Sequence, residues 1–267
     1  MPVPPLQGQW APVHAGARSR AAPLRSWSAD VSVLRGVAAL LLCASASGAS
    51  AQFSGTLSGV SDYRYRGVTF TDKMPAAQAG VTYDDPKGWY AGAFGSTVRL
   101  KPPGGSSSYF QAIVYGGYAK RLSSGISVEA GGDYSAFAGS NDLDYGEVFV
   151  GAATDNLNAR IYYSPRYFGQ SSSAVYAEIN ATQPLFERVR LHLHAGILRY
   201  RYESPYGSLY GVQSTQNVID GRIGLRIDLD VFQLEIAWVG VSDHNAAYVI
   251  TGSSSPNTVV ASLSISF

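Results

Sequence analysis

Cysteine is nearly missing from these 267 residues: the single one, Cys43, leaves no disulfide framework and no cysteine metal site. Lysine is scarce too, with 4 Lys against 16 Arg, and only 15% of the residues are charged. The formal net charge of +1 gives no electrostatic reason to expect nucleic acid as a partner. Long apolar runs are absent apart from one short stretch near the N-terminus, which argues against a helical membrane protein. A coiled coil would be rich in Ala, Glu, Lys and Leu. A disordered chain would have less than the 46% hydrophobic content found here. What is abundant is Gly (29) and Tyr (18).

The apolar stretch has the parts of a secretory signal. Arg35 precedes the run Val37–Ala44, and small residues follow, ending Ala49-Ser50-Ala51. A basic flank, a short apolar core and an A-x-A site together predict cleavage after Ala51. Residues 1–51 are therefore expected to be removed, leaving 52–267 as one domain. The Pro-, Arg- and Ala-rich residues 1–30 are best explained by a start placed too early, with the true start near Val31 or Val33.

The remaining chain alternates with a period of two. Ile219, Ile223, Leu225, Ile227 and Leu229 are interleaved with Asp220, Arg222, Gly224, Arg226 and Asp228. Such alternation is a strand with one apolar and one polar face. Twelve segments follow, near 55–70, 76–84, 89–100, 109–121, 126–137, 144–154, 159–167, 174–184, 189–202, 218–229, 232–242 and 258–267. Five short connections, such as Asp85–Gly88 and Asp230-Val231, alternate with longer ones such as Glu203–Asn217 and Asp243–Asn257. Loop length sorted by parity predicts an all-β fold, a single closed antiparallel transmembrane barrel with short periplasmic turns and long extracellular loops. Closure is required because an open sheet edge in lipid leaves unpaired backbone groups. Trp89, Tyr90, Tyr109, Tyr118, Tyr163, Tyr167, Tyr200, Tyr202 and Tyr248 lie towards segment ends, where aromatic girdles are expected. The phase near Gly196-Ile197 suggests a β-bulge. Gly116-Gly117 and Gly131-Gly132 fall within strands, where they ease packing or curvature.

The last segment alternates Val259, Ala261, Leu263, Ile265 and Phe267 with Val260, Ser262, Ser264 and Ser266. Its terminal Phe267 resembles the signal read by the bacterial barrel-assembly machinery, an expected partner alongside outer-membrane lipids.

The order Ser61-Asp62-Tyr63, Arg66-Gly67, Thr71-Asp72, Pro75-Ala76, Gln78 and Gly80, then Gly88-Trp89-Tyr90-Ala91-Gly92, resembles the TorF-like putative porin family of Gram-negative bacteria. Asp144-Tyr145-Gly146-Glu147 and Tyr162-Tyr163-Ser164-Pro165 extend that resemblance across most of residues 53–267. It implies an outer-membrane porin and no catalytic residues.

With polar faces turned inward, the expected pore lining is Arg64, Arg66, Arg160, Arg166, Arg190, Arg199, Arg201, Arg222 and Arg226 with Glu129, Asp133, Glu147 and Glu178. Asp62 joins them on the first segment, and inward Tyr115, Tyr162 and Tyr176 are placed to constrict the lumen. Guanidinium rows attract carboxylates and phosphates. The expected function is passive diffusion of small hydrophilic solutes, with a preference for anions. A sealed or surface-binding barrel is the main alternative. A lipid-modifying enzyme is the weaker one, because none of His192, His194 and His244 is followed by Ser two residues later. No cofactor is expected. His192 and His194 share a face but lack a third metal ligand.

Overall fold

The computed structural model describes residues 52–100, 107–169, 173–203, 213–242 and 256–267. The signal residues with Ala49 and Ala51, and loop residues such as His244 and Tyr248, lie outside the described residues.

Among the described residues fourteen strands run in chain order: β1 (Gln52–Val60), β2 (Arg64–Tyr65), β3 (Val68–Thr69), β4 (Ala76–Asp84), β5 (Trp89–Leu100), β6 (Ser108–Arg121), β7 (Ser127–Phe137), β8 (Tyr145–Ala153), β9 (Leu157–Ser164), β10 (Ala174–Phe186), β11 (Val189–Glu203), β12 (Gln213–Leu229), β13 (Phe232–Val241) and β14 (Asn257–Ser266). All except β2 and β3 form one closed barrel, each strand antiparallel to the next, so the expected twelve-stranded barrel is what forms. β1 and β14 close it, with Gly59 opposite Leu263. Beyond β14, Phe267 continues the ladder: its N–H donates to the Gly55 carbonyl and its own carbonyl accepts from Gly55 N–H, at 3.0 and 2.8 Å. A side chain on Gly55 would run into the Phe267 ring, so the last residue is seated on a glycine.

The outer face is apolar along the middle of every strand. Val114, Val148, Val150, Ile161, Ile219, Ile236 and Val259 are each more than half exposed. An apolar surface that surrounds the whole barrel belongs in a bilayer rather than in water. At the short-turn end, Trp89 stacks edge-on against Tyr118 at 5.0 Å and Phe53 lies 5.1 Å from Tyr83. Phe186 and Phe267 continue this outward aromatic ring. Tyr109 and Tyr163 are outward as expected, whereas Tyr90, Tyr167 and Tyr200 are buried inside the barrel. Those three are not girdle residues, and the side chains of Tyr202 and Tyr248 lie outside the described residues.

Three expectations about strands are corrected. The first segment does not run from 55 to 70. β1 stops at Val60, and residues Asp62–Thr71 fold into the lumen as a hairpin built on β2 and β3. No bulge interrupts β11 near Gly196: its pairing with β10 is continuous from Ala174↔Tyr200 to Pro184↔Arg190, and the shift falls between Pro184 and Phe186. The apparent change of phase arises because Leu198 and Tyr200 are apolar yet point inward, into a lumen that is itself filled with rings. The connection expected over 203–217 is shorter, since β12 begins at Gln213.

Inward-facing glycines make this filling possible. Gly117 opposes Gly131 across β6 and β7. A Cβ on Gly117 would sit 2.6 Å from the Tyr90 hydroxyl, and one on Gly131 would sit 2.6 Å from Phe149 Cζ. Gly92 and Gly196 receive Tyr115 and Tyr176 in the same way. A large ring from one strand lies flat over a missing side chain on the next, so the wall stays thin while the rings occupy the interior.

Candidate functional site

The site begins with the hairpin between β1 and β4. Arg66 and Gly67 form its two-residue turn, with φ of 48° and 77° and Tyr65 paired to Val68. Positive φ at both central residues is the primed-turn geometry that matches strand twist. Asp62 holds the two arms together. Its carboxylate accepts from Arg64 Nε at 2.8 Å and from the Thr69 and Thr71 hydroxyls at 2.5 and 3.2 Å. Arg64 also donates to the Gly67 carbonyl at 2.9 Å. A Cβ on Gly67 would meet Asp220 and Val241 side-chain atoms at 2.8 and 2.9 Å, so the tip presses against the wall formed by β12 and β13.

The hairpin crosses the barrel. It leaves the wall at β1, and Arg66 reaches Glu147 on β8, Tyr162 on β9 and Tyr176 on β10, the strands opposite β1 in the ring. The guanidinium lies 2.6 Å from a Glu147 oxygen. It also sits over the Tyr176 ring at 4.2 Å, Tyr65 and Tyr167 at 5.1 Å, and Tyr162 at 5.6 Å. Desolvated cation–π contacts are worth about 2 kcal/mol each, which offsets part of the cost of burying the charge. Behind the turn, Phe70 is fully buried against Tyr63, Tyr65, Phe137 and Phe168, with centroids 5.0–6.3 Å apart. Tyr145 hydrogen-bonds the Tyr65 hydroxyl at 2.7 Å.

Towards the short turns the lumen is charged. Arg160 pairs with Glu129 at 2.6 Å, and Arg190 with Asp228 at 3.0 Å. Arg222 and Arg226 both reach Glu235, the second at 2.9 Å, and His192 adds its ring nitrogen at 3.4 Å. His194 bridges Asp220 and Asn180, its two ring nitrogens 2.9 Å and 2.6 Å from their side-chain oxygens. The two histidines thus serve separate carboxylates. Between hairpin and wall lies a cavity of about 40 Å³, bordered by Arg64, Arg66, Tyr176, His194, Asp220 and Arg222 among others.

The lining anticipated from sequence is partly assembled. Arg160, Arg190, Arg222, Arg226, Glu129, Asp133, Glu147 and Glu178 do point inward, as do Tyr115, Tyr162 and Tyr176. Asp62, Arg64 and Arg66 are inside too, but on the inserted hairpin rather than on a barrel strand. Three arginines are misplaced by the sequence reading. Arg166 lies past the end of β9 and is exposed, and Arg199 and Arg201 alternate with the buried Leu198 and Tyr200, so they face outward. Asp220 and Asp228, on the polar face read from the sequence, do face the lumen, whereas Glu235 was missing from the expected lining although it alternates with outward Leu234 and Ile236. Every inward arginine has a carboxylate partner, and Asp84, Asp133, Glu178 and Asp220 are additional inward carboxylates.

A family model described as a bacterial protein of unknown function (Gcw_chp) matches residues 44–267. The chain belongs to that family. A search of curated proteins finds no match. Among solved structures, the chain is similar to the KdgM porin, at 10% identity over 80% of this chain and 99% of that one, TM-score 0.48. It is similar to the NanC porin at 10% identity over 80% and 98%, TM-score 0.49. It is also similar to the outer membrane channel DcaP of Acinetobacter baumannii, at 11% identity over 83% and 99%, TM-score 0.40.

Proposed function

We propose that this Gcw_chp protein is a porin-like channel of the Gram-negative outer membrane, passing small hydrophilic solutes down their gradient, with residues 61–75 as its constriction. This is the function implied by the TorF-like resemblance. The observation that carries it is the charged interior of a closed barrel. Buried ion pairs are a poor way to stabilise a fold, since well-packed apolar residues of similar volume do as well or better. A barrel that only had to be filled would gain nothing from the Arg160–Glu129 and Arg222–Glu235–Arg226 groups. A polar path for water and solute explains them.

A second reading, a sealed barrel, is favoured by one observation: Asp62–Thr71 are all buried while spanning the lumen. Single-channel conductance of the refolded protein in a planar bilayer separates the two. Discrete steps in KCl support the channel. Silence from protein that is folded and inserted supports the sealed barrel.

The anion preference needs a surplus of inward guanidinium groups. With Arg166, Arg199 and Arg201 turned outward, carboxylates outnumber arginines among the described lumen residues. Charge balance therefore favours cations over anions, and the reversal potential in a salt gradient reads the sign. Export by the N-terminal signal and recognition of Phe267 by the assembly machinery belong to the same reading. So does a non-enzymatic role, in which His192 and His194 hold carboxylates rather than activate a nucleophile.

A further inference from the structure

We propose that the pocket now filled by Arg66 is a binding site for a guanidinium-bearing solute, with the guanidinium of the hairpin as its resident stand-in. The inference rests on the channel reading only for how such a solute arrives.

The pocket belongs to the wall rather than to the hairpin. Tyr162, Tyr176 and Glu147 come from three adjacent barrel strands, and Tyr167 from the connection after β9. None of the four belongs to the hairpin. Their rings lie 4.2–5.6 Å from the Arg66 guanidinium carbon, the distance at which an aromatic face attracts a planar cation. Guanidinium suits the site better than ammonium because it stacks on rings and offers several N–H donors in one plane.

The acids exceed what Arg66 needs. Glu147 gives one oxygen to Arg66 at 2.6 Å, while its other oxygen is buried without a hydrogen-bond partner. Asp133 stands directly opposite Glu147 in the β7–β8 register. Glu178, on the far side, accepts from the Tyr162 hydroxyl at 3.4 Å. Arg160 stands opposite Glu178 in the β9–β10 register but already pairs with Glu129, so Glu129, Asp133, Glu147 and Glu178 face only two guanidinium groups, and Arg66 is delivered on a tip whose φ of 48° is unfavourable for a residue with a side chain. The hairpin's other charges, Asp62 and Arg64, neutralise each other at 2.8 Å. Withdrawing the hairpin would remove one net positive charge and leave an acidic aromatic box. A cavity of about 40 Å³ already lies beside Arg66.

The test uses two variants of residues 52–267, which contain no native cysteine, both checked for folding by heat-modifiable migration on gels. In Arg66→Ala, methylguanidinium should bind and raise thermal stability in millimolar concentrations at which sodium and acetate have no effect, and more strongly than methylammonium. Arg66→Gln serves if the alanine variant does not fold. In Val68→Cys, which keeps Arg66, methylguanidinium should accelerate labelling of the buried cysteine by a water-soluble maleimide several-fold, because it competes the hairpin out. No preference for methylguanidinium over sodium in the Arg66 variants overturns the binding site. Binding there with unchanged labelling of Val68→Cys overturns the stand-in relation. Binding and faster labelling from a barrel that never conducts would sink the channel reading and leave this proposal standing.

Discussion

Towards the long loops the lumen holds Phe70, Phe137, Phe168, Tyr65 and Tyr145 packed ring against ring. Towards the short turns other strands of the barrel, β11, β12 and β13, hold Arg190, Asp228, Arg222, Arg226 and Glu235. The wall geometry does not change between the two: strands keep their inward parity from end to end. What changes is the occupant. The upper half is closed by a piece of chain that has its own turn, its own internal hydrogen bonds and an anchor on the opposite wall. The lower half is lined only by side chains, and its outermost pair is a quarter to a third exposed. Closure by a hairpin can be undone in one motion, whereas closure by ion pairs is distributed over the wall. On the channel reading proposed above, the first is suited to gating, and the second to setting which charges pass.

The largest effect that sharpens this contrast should come from removing the upper occupant. Replacing residues 62–71 by a short Gly-Ser link leaves the β1–β4 pairing intact, since Val60 pairs with Ala76 below it. Single-channel conductance should rise several-fold over the full chain. An unchanged conductance would mean that the hairpin does not close the lumen.

Next in size is Glu235→Ala in the lower half. Glu235 is buried and answers Arg222, Arg226 and His192 at once. Its loss takes a shared carboxylate from two buried guanidinium groups, at a cost of about 3–5 kcal/mol in folding free energy. Urea titration of folding into detergent micelles would measure it. A triple change to apolar residues at 222, 226 and 235 should recover most of that loss while altering ion selectivity. Recovery of selectivity along with stability would show that these charges are structural after all.

The barrel itself was legible because period two, loop parity and a terminal aromatic are local signals that lipid makes consistent along the whole chain. The lumen was less legible. Arg199 and Arg201 read as inward because Leu198 and Tyr200 looked like a lipid face, and only the filled interior reverses that assignment. The hairpin was hidden for a related reason: Tyr63, Tyr65, Val68 and Phe70 look like a continuation of β1. The missed signal was Arg66-Gly67 between short alternating arms, a turn dipeptide in the middle of a supposed strand. A plug contact depends on residues far apart in sequence, such as Arg66 and Glu147, and alternation carries no information about them.

Two smaller effects bracket the wall. Gly131→Val places atoms where Phe149 Cζ and the Gly116 carbonyl now lie, 2.6 and 2.5 Å from the new Cβ. The ring must leave the gap it fills, so overpacking should cost about 1–3 kcal/mol by the same urea titration. Arg121→Ala breaks the pair with Asp155 at the short-turn rim, 3.3 Å apart with side chains 54% and 82% exposed. Water screens both charges there, and removal should cost no more than a few tenths of a kcal/mol. The two changes are on neighbouring strands, β6 and β7, and on inward-facing rows of both, yet only Gly131 lies within the filled interior, while Arg121 stands at the exposed rim. If Arg121→Ala proved as costly as Gly131→Val, the stability of this barrel would reside in its rim, and the interior filling on which the contrast between halves depends would not be what holds the strands in register.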